Sequence, residues 1–354
     1  MSLQEKIGVV DLFCGIGGLS HGMYQNGFDI LAGFDIDSTC KFAFEYNNNS
    51  VFHYKDVKEI TGSEINKIFN NKKIKILAGC APCQPFSSYS FKLKEKDSNK
   101  YDLLYEFGRL VKETLPDIVT MENVAQILSF QQKPVLHDFE NLLTELGYSV
   151  SIKKVFCPDY GIPQRRKRIV LLASKFGKID LIEPTHKKSE YVTVRKAISK
   201  LSKLEAGQVD KKDKLHRARN LSELNMKRIK ATPKNGSWKD WPEDLLLECH
   251  KKDSGKSFGS VYGRMNWDEP APTMTTLCTG LGNGRFGHPE QDRAISLREA
   301  AIFQSFPLDY KFFENEEAVS ISNASRYIGN AVPPVLGAVT AVSIIKHLEN
   351  NDKI

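Results

Sequence analysis

A chain of 354 residues is long enough for one large α/β domain and a smaller companion, since cores tend to split beyond roughly 250 to 300 residues. Its composition, 41% hydrophobic and 26% charged, is that of a soluble globular protein; no apolar run approaches the roughly 20 residues that span a bilayer, and residues 1–6 lack a signal-peptide pattern. Seven irregularly spaced cysteines exclude a disulfide framework and point to a reducing cytoplasm, and the formal net charge of +7 gains meaning only from where it lies.

Residues 7–13 read as an apolar strand, followed by the turn Cys14, Gly15, Ile16, Gly17, Gly18 and a helical pattern over 19–25. Glycines between a strand and a helix let backbone approach a ligand and present a helix N-terminus, although the spacing is not a full G-x-G-x-x-G, and such a turn can also be a plain connection. A second strand, 30–34, ends in Asp35, Ile36 and Asp37 about 20 residues beyond the turn, where a carboxylate can accept from both hydroxyls of a ribose. Asp35 is the ribose candidate and Asp37 the cap of a helix over 38–46. A third strand, 51–54, runs to Asp56, which could accept from an adenine amino group or sit in a surface turn.

The strand 74–78 leads into Gly79, Cys80, Ala81, Pro82, Cys83, Gln84, Pro85, Phe86, Ser87. A thiol at the carboxyl end of a parallel strand is where ligands gather in open α/β sheets. Cys80 and Cys83 are formally a C-x-x-C, but no second pair supplies a zinc site, no good helix follows to make a redox pair, and an inert cysteine in a tight turn remains the plain alternative. Helical spacing returns over 103–115, a strand over 116–121 ends in Glu122, Asn123 and Val124, and a helix near 135–146 precedes strands 150–156 and 169–173. Those last strands flank the cluster Gln164, Arg165, Arg166, Lys167, Arg168, in which alternation sends Arg166 and Arg168 to one side. Residues 175–262 then lose the strand and helix alternation and hold 21 Lys and Arg against 12 Asp and Glu, all of the excess charge; a local surplus of this kind suits a polyanion or a solvated surface. Tyr262 to Met265, Pro270 to Thr276, a helix over 297–303, the segment 327–334 with Gly329, Asn330 and its prolines, and an apolar helix over 335–348 complete the chain.

Taken together, these blocks resemble the DNA (cytosine-5) methyltransferase family of bacterial restriction-modification type, in family order over nearly the whole chain. Residues 11–18 resemble its S-adenosylmethionine turn, 79–87 its Pro-Cys motif, 122–124 its Glu-Asn-Val motif, 164–168 its Gln-Arg-x-x-Arg-type motif, and Arg264 with Thr273, then Gly329 with Asn330, its late motifs. The resemblance implies an α/β fold with a doubly wound, mostly parallel, Rossmann-like sheet: 1–174 the first part of the catalytic and cofactor-binding domain, 175–262 a smaller target-recognition domain, and 263–354 a return segment.

It also implies roles. Cys83 is the nucleophile that attacks cytosine C6, because C5 is too weak a carbon nucleophile otherwise; Glu122 is the carboxyl at N3 and the exocyclic amine; Arg168 contacts the base O2, and Arg166 a phosphate or the site's own backbone. Phe13, Gly15, Gly17, Asp35, Ile36, Asp56, Val57, Leu103 and Asn330 line S-adenosylmethionine; Pro82, Gln84, Ser87, Asn123, Gln164, Arg264 and Thr273 bind substrate; no metal is expected. Asp35 departs from the family's commoner Glu. Cys80 is expected to be a packing residue, and 87–100, too long and charged for a plain connection, a loop that closes on DNA. The implied partners are double-stranded DNA and a cognate restriction endonuclease acting on the same site, with a cytoplasmic monomer as the working form. A relative that methylates transfer RNA shares the catalytic residues, and a catalytically silent DNA-binding homologue shares the fold.

Overall fold

The strands expected from apolar runs assemble into one sheet. The computed structural model describes residues 2–82, 102–129 and 134–354, the side chains of 102, 254 and 256 excepted. The strands are β1 (Ile7–Leu12), β2 (Asp29–Asp35), β3 (Val51–Tyr54), β4 (Ile74–Gly79), β5 (Ile118–Val124), β6 (Ser149–Phe156) and β7 (Lys167–Ser174). They lie in the order β3-β2-β1-β4-β5-β7-β6, with β3 to β5 mutually parallel and β7 antiparallel to both its neighbours. All six residues of β1 are buried, as expected of a strand covered on both faces, whereas the edge strand β6 is mostly half-buried or exposed.

The chain winds outward from β1 to β3 and then restarts on the other side at β4. This makes the β1/β4 boundary the switch point, and the crevice beyond the carboxyl ends of those strands is the place for a ligand. Register fixes the detail: Leu12 pairs with Gly79 on one side and Phe34 on the other, and Gly79 pairs in turn with Met121. The Phe13 turn, the Asp35 end, Cys80 and Glu122 therefore follow directly from adjacent strand ends.

Helices cover the sheet. The helix Gly18–Tyr24 packs on Pro334–Asn350 so closely that a Cβ on Gly22 would stand 2.1 Å from the Pro334 carbonyl oxygen. The helix Gly62–Phe69, capped by Thr61 and burying Ile65 and Phe69, was not anticipated; its short apolar pattern is overshadowed in sequence by polar neighbours. The run Ile321–Asn350 is apolar and long enough to cross a bilayer by length and composition, contrary to expectation. It is two helices, Ile321–Asn330 and Pro334–Asn350, parted where Pro333 and Pro334 cannot continue the hydrogen-bond ladder, and 61% of its most apolar window is buried. It reads as core.

The chain divides into two compact units: Met1–Phe156, Lys167–Pro184 and Val332–Ile354 form the first, and Cys157–Arg166 with Thr185–Ala331 the second. The boundaries differ from those expected. Residues 263–331 belong with the lysine-rich segment, and only the last 23 residues return to the sheet, because backbone and side chains of 271–304 bond to 163–166 within the second unit. The second unit's interior includes a cluster of Trp238, Trp241 and Leu245 and a buried Arg293–Glu299 ion pair.

Candidate active site at the strand ends

Three adjacent strand ends in the first unit carry the residues expected to meet a cofactor. Phe13 turns the chain at φ 58° and Gly15 at φ 51°, and a Cβ on Gly15 would meet nothing within 4 Å, so open space lies over the turn. Gly17, at φ 85°, starts the helix Gly18–Tyr24 where a Cβ would strike Asn48 and Phe44. Asp35 accepts from the backbone N–H of Gly15 (2.8 Å) and of Asp37 (2.9 Å), tying the two strand ends together, and a carboxylate has acceptor sites left for hydroxyls. Ile36 beside it is 66% exposed, an apolar face offered to a ring. Asp37 caps the turn Ser38–Cys40, as expected. Asp56 caps Val57–Glu59 and is half-buried, Val57 is buried, and Leu103 packs half-buried against the same core as Phe13.

Sequence reasoning passed over Asp11. It is 1% exposed, accepts from Ser20 Oγ at 2.5 Å, and its Oδ1 has no hydrogen-bond partner among the described residues. Burial pushes its carboxyl up to about 7; the Ser20 hydroxyl pulls it down, and Asp35 adds to the rise. An open glycine turn, a carboxylate at the next strand end and an exposed apolar face fit a nucleoside-bearing cofactor.

At the ends of β4 and β5 the chemistry concentrates. Glu122 is 4% exposed, with Cys80 Sγ donating to its Oε2 at 3.1 Å and Arg168 Nε 2.9 Å from its Oε1. The Arg168 approach is a charge contact, since Oε1 lacks hydrogen-bond alignment with any described donor. Asn123 donates to the Ala81 carbonyl at 3.3 Å and accepts from Val124 N–H, so it pins the chain just before the Pro-Cys motif. Cys80 N–H donates to the Leu12 carbonyl, 3.3 Å away. Cys80 is thus bonded to the site's carboxylate, which the expectation of a packing residue missed; the strand pairing supplies the signal that spacing alone did not. Pro82 is exposed, and Cys83, Gln84, Ser87 and the loop 87–100 lie outside the described residues.

The second unit receives the remaining motif residues, and there several expectations change. Arg264 is 5% exposed, and its five N–H groups go to the carbonyls of Thr232, His288, Gln291 and Ile229 and to Asp292. It has no donor left for a substrate and is a brace. Gln164 is fully buried, donating to the Phe303 carbonyl and Gln304 and accepting from Met274 N–H, so it too holds backbone instead of substrate. Thr273 spends its hydroxyl proton on the Arg165 carbonyl. Arg166, 3% exposed, donates to the carbonyls of Met274 and Ala331. Its partners lie in the second unit, while Arg168 pairs with Glu122 in the first, so alternation along the chain did not give the two arginines one task. Asn330, exposed, ends the helix Ile321–Asn330, and Gly329 lies against the backbone of Thr275 and Thr276.

The model of the C-5 cytosine-specific DNA methylase family matches residues 7–346. This chain belongs to that family. The methylase is 52% identical over 341 residues to the Type II methylase M.HgiDII of Herpetosiphon aurantiacus, covering 96% of each chain, and 31% identical to the Type II methyltransferase M1.HphI of Haemophilus parahaemolyticus, covering 95% of this chain and 86% of the other. Among solved structures it shares its fold with a DNA modification methyltransferase encoded within an Escherichia coli prophage, at TM-score 0.74 and 23% identity over 97% of this chain and all of the other. The S. pombe Dnmt2 methyltransferase shares it at TM-score 0.61 and 16% identity, covering 96% and 99%. The methylase is a DNA (cytosine-5) methyltransferase by family.

Proposed function

We propose that the methylase carries a methyl group from S-adenosylmethionine to C5 of a flipped-out cytosine in duplex DNA, through a transient bond between Cys83 and C6. The observation that carries this reading is Glu122, a buried carboxyl at a strand end with a thiol on one oxygen and a guanidinium on the other, within the family match over 7–346. Cys83 rests on its sequence motif. S-adenosylmethionine, when bound, supplies the methyl group as an electrophile. Asp35 would receive its ribose hydroxyls, Ile36 and Phe13 would flank its adenine, Asp56 and Val57 would meet the adenine edge, and the open space over Gly15 would give it room, with Leu103 lining the same site.

Attack of a thiolate on C6 drives electrons towards N3, so Glu122 shares a proton there while its other oxygen accepts from the exocyclic amine. Arg168, which spends one Nη on the Lys167 carbonyl, keeps further N–H groups for the base O2. Asn123 holds the strand end that precedes Cys83, and Arg166, Gln164, Arg264 and Thr273 hold the backbone of the second unit. The target base must leave the stack to reach Glu122, so flipping follows from access. The lysine-rich lobe within 175–262 provides phosphate contacts, and likeness to Type II methylases supports a restriction-modification role with a cognate endonuclease reading the same site.

Duplex DNA with 5-fluorocytosine at the target tests this reading, because fluorine cannot leave C5 as a proton does. With S-adenosylmethionine present we expect a denaturation-resistant protein–DNA adduct that Cys83→Ser abolishes and Glu122→Gln slows roughly 100- to 10,000-fold. An adduct that persists in Cys83→Ser, or that forms on transfer RNA and not on DNA, overturns the mechanism or the substrate.

A further inference from the structure

Glu122 has two oxygens in different company. Arg168 is 2.9 Å from Oε1, and a guanidinium has donors only, so a proton on Oε1 would face a cation. Cys80 Sγ is 3.1 Å from Oε2, and a thiol can donate to an anion or accept from an acid by rotating one S–H bond. The two partners are not interchangeable. Arg168 favours a bare Oε1, while Cys80 tolerates either state of Oε2.

Backbone geometry makes this pairing firm. Gly79 and Met121 are register partners on β4 and β5, so Cys80 and Glu122 are the next residues along two parallel strands. Cys80 is held from the other side by its own N–H on the Leu12 carbonyl, and the following residue's carbonyl is held by Asn123. The thiol therefore cannot drift from the carboxyl without loosening two strand ends.

From this we infer that Cys80 is a positioning residue of the methyl-transfer reaction, making Oε2 of Glu122 the oxygen that carries the proton towards N3 and leaving Oε1 to accept from the exocyclic amine. The inference rests on the proposed role of Glu122 as proton donor. Each proton is accounted for: with Glu122 ionised, Cys80 donates to Oε2; with Glu122 protonated on Oε2, that proton points to the base and the sulfur faces the oxygen as a weak partner. Cys80 forms no bond to substrate and keeps its thiol proton throughout. Its effect is orientation: it fixes which oxygen of Glu122 faces the base.

Single-turnover methylation of duplex DNA measures the effect in Cys80→Ala, Cys80→Ser, Glu122→Ala and Cys80→Ala/Glu122→Ala, with unfolding curves confirming that each protein is folded. Losing one hydrogen bond to a charged group corresponds to roughly 10-fold in rate. Cys80→Ala should therefore be about 10-fold slower at unchanged DNA affinity. Cys80→Ser should restore the rate to within a few fold, because a hydroxyl also donates and accepts. In the Glu122→Ala background, Cys80→Ala should change nothing further. A Cys80→Ala enzyme as fast as the parent, or one equally slowed with and without Glu122, overturns the inference. Should Glu122→Ala itself stay fully active, the proposed role of Glu122 fails instead, and the two failures are told apart.

Discussion

Arg264 provides the sharpest separation between a substrate contact and a brace. Arg264→Met keeps the length of the buried stem and removes all five N–H groups; the Ile229 and Gln291 carbonyls keep the N–H of Thr232 and Arg293, while those of Thr232 and His288 and the Asp292 carboxylate lose the guanidinium. A hydrogen bond is worth about 0.5–1.5 kcal/mol net. Asp292 is 42% exposed, so water replaces much of that contact, and the loss falls near the lower end for the whole set, about 3–5 kcal/mol. A domain with only 5–15 kcal/mol in hand feels this strongly. The assay is built in: all three tryptophans, Trp238, Trp241 and Trp267, lie in the second unit, so indole fluorescence in a urea titration follows that unit alone. The expected result is a tryptophan transition at much lower urea with S-adenosylmethionine affinity nearly unchanged. An unmoved transition, with weaker DNA binding and a salt slope reduced by about one, would show that Arg264 meets a phosphate and is not a brace.

Two further outcomes follow from burial. His288 is 2% exposed, and desolvation drives its imidazole from 6.5 down to about 4; Glu299 opposes that shift and Arg293 reinforces it. The unfolded chain takes this proton first, so the stabilisation is complete above about pH 6.5 and is lost as pH falls towards 4, a change of about 3 kcal/mol. His288→Gln, whose amide oxygen can still accept from Glu290 and Gln291 N–H, should flatten the fall in second-unit stability between pH 7.5 and 4.5; identical pH dependence in both proteins contradicts the assignment. Gly22→Ala puts a methyl group 2.1 Å from the Pro334 carbonyl oxygen and 2.4 Å from Ala338 N, so the helices Gly18–Tyr24 and Pro334–Asn350 must separate, at about 1–3 kcal/mol. Hydrogen exchange in both helices should quicken. Slower exchange, the result if alanine's better helix propensity prevailed, counts against so tight a contact.

By itself the sequence determined what local pattern can carry. Apolar runs such as 7–13 and 74–78 have few choices but buried strands, a glycine turn after the first one allows a ligand-facing bend or a plain connection, and the ordered motifs identified the family. Tertiary structure decided where donors and acceptors met. Arg264 and Gln164 read as substrate contacts in sequence, yet acceptors brought together from 229–232, 288–292 and 303–304 consume their N–H groups. Cys80 read as packing because its partner, Glu122, is 42 residues away and adjoins it only through the β4–β5 register. Lysine density located a basic lobe, but tertiary packing placed 263–331 in that unit. The reason is one of range: hydrophobic periodicity is satisfied within a few residues, whereas a buried polar group must be met by whichever segment the fold delivers.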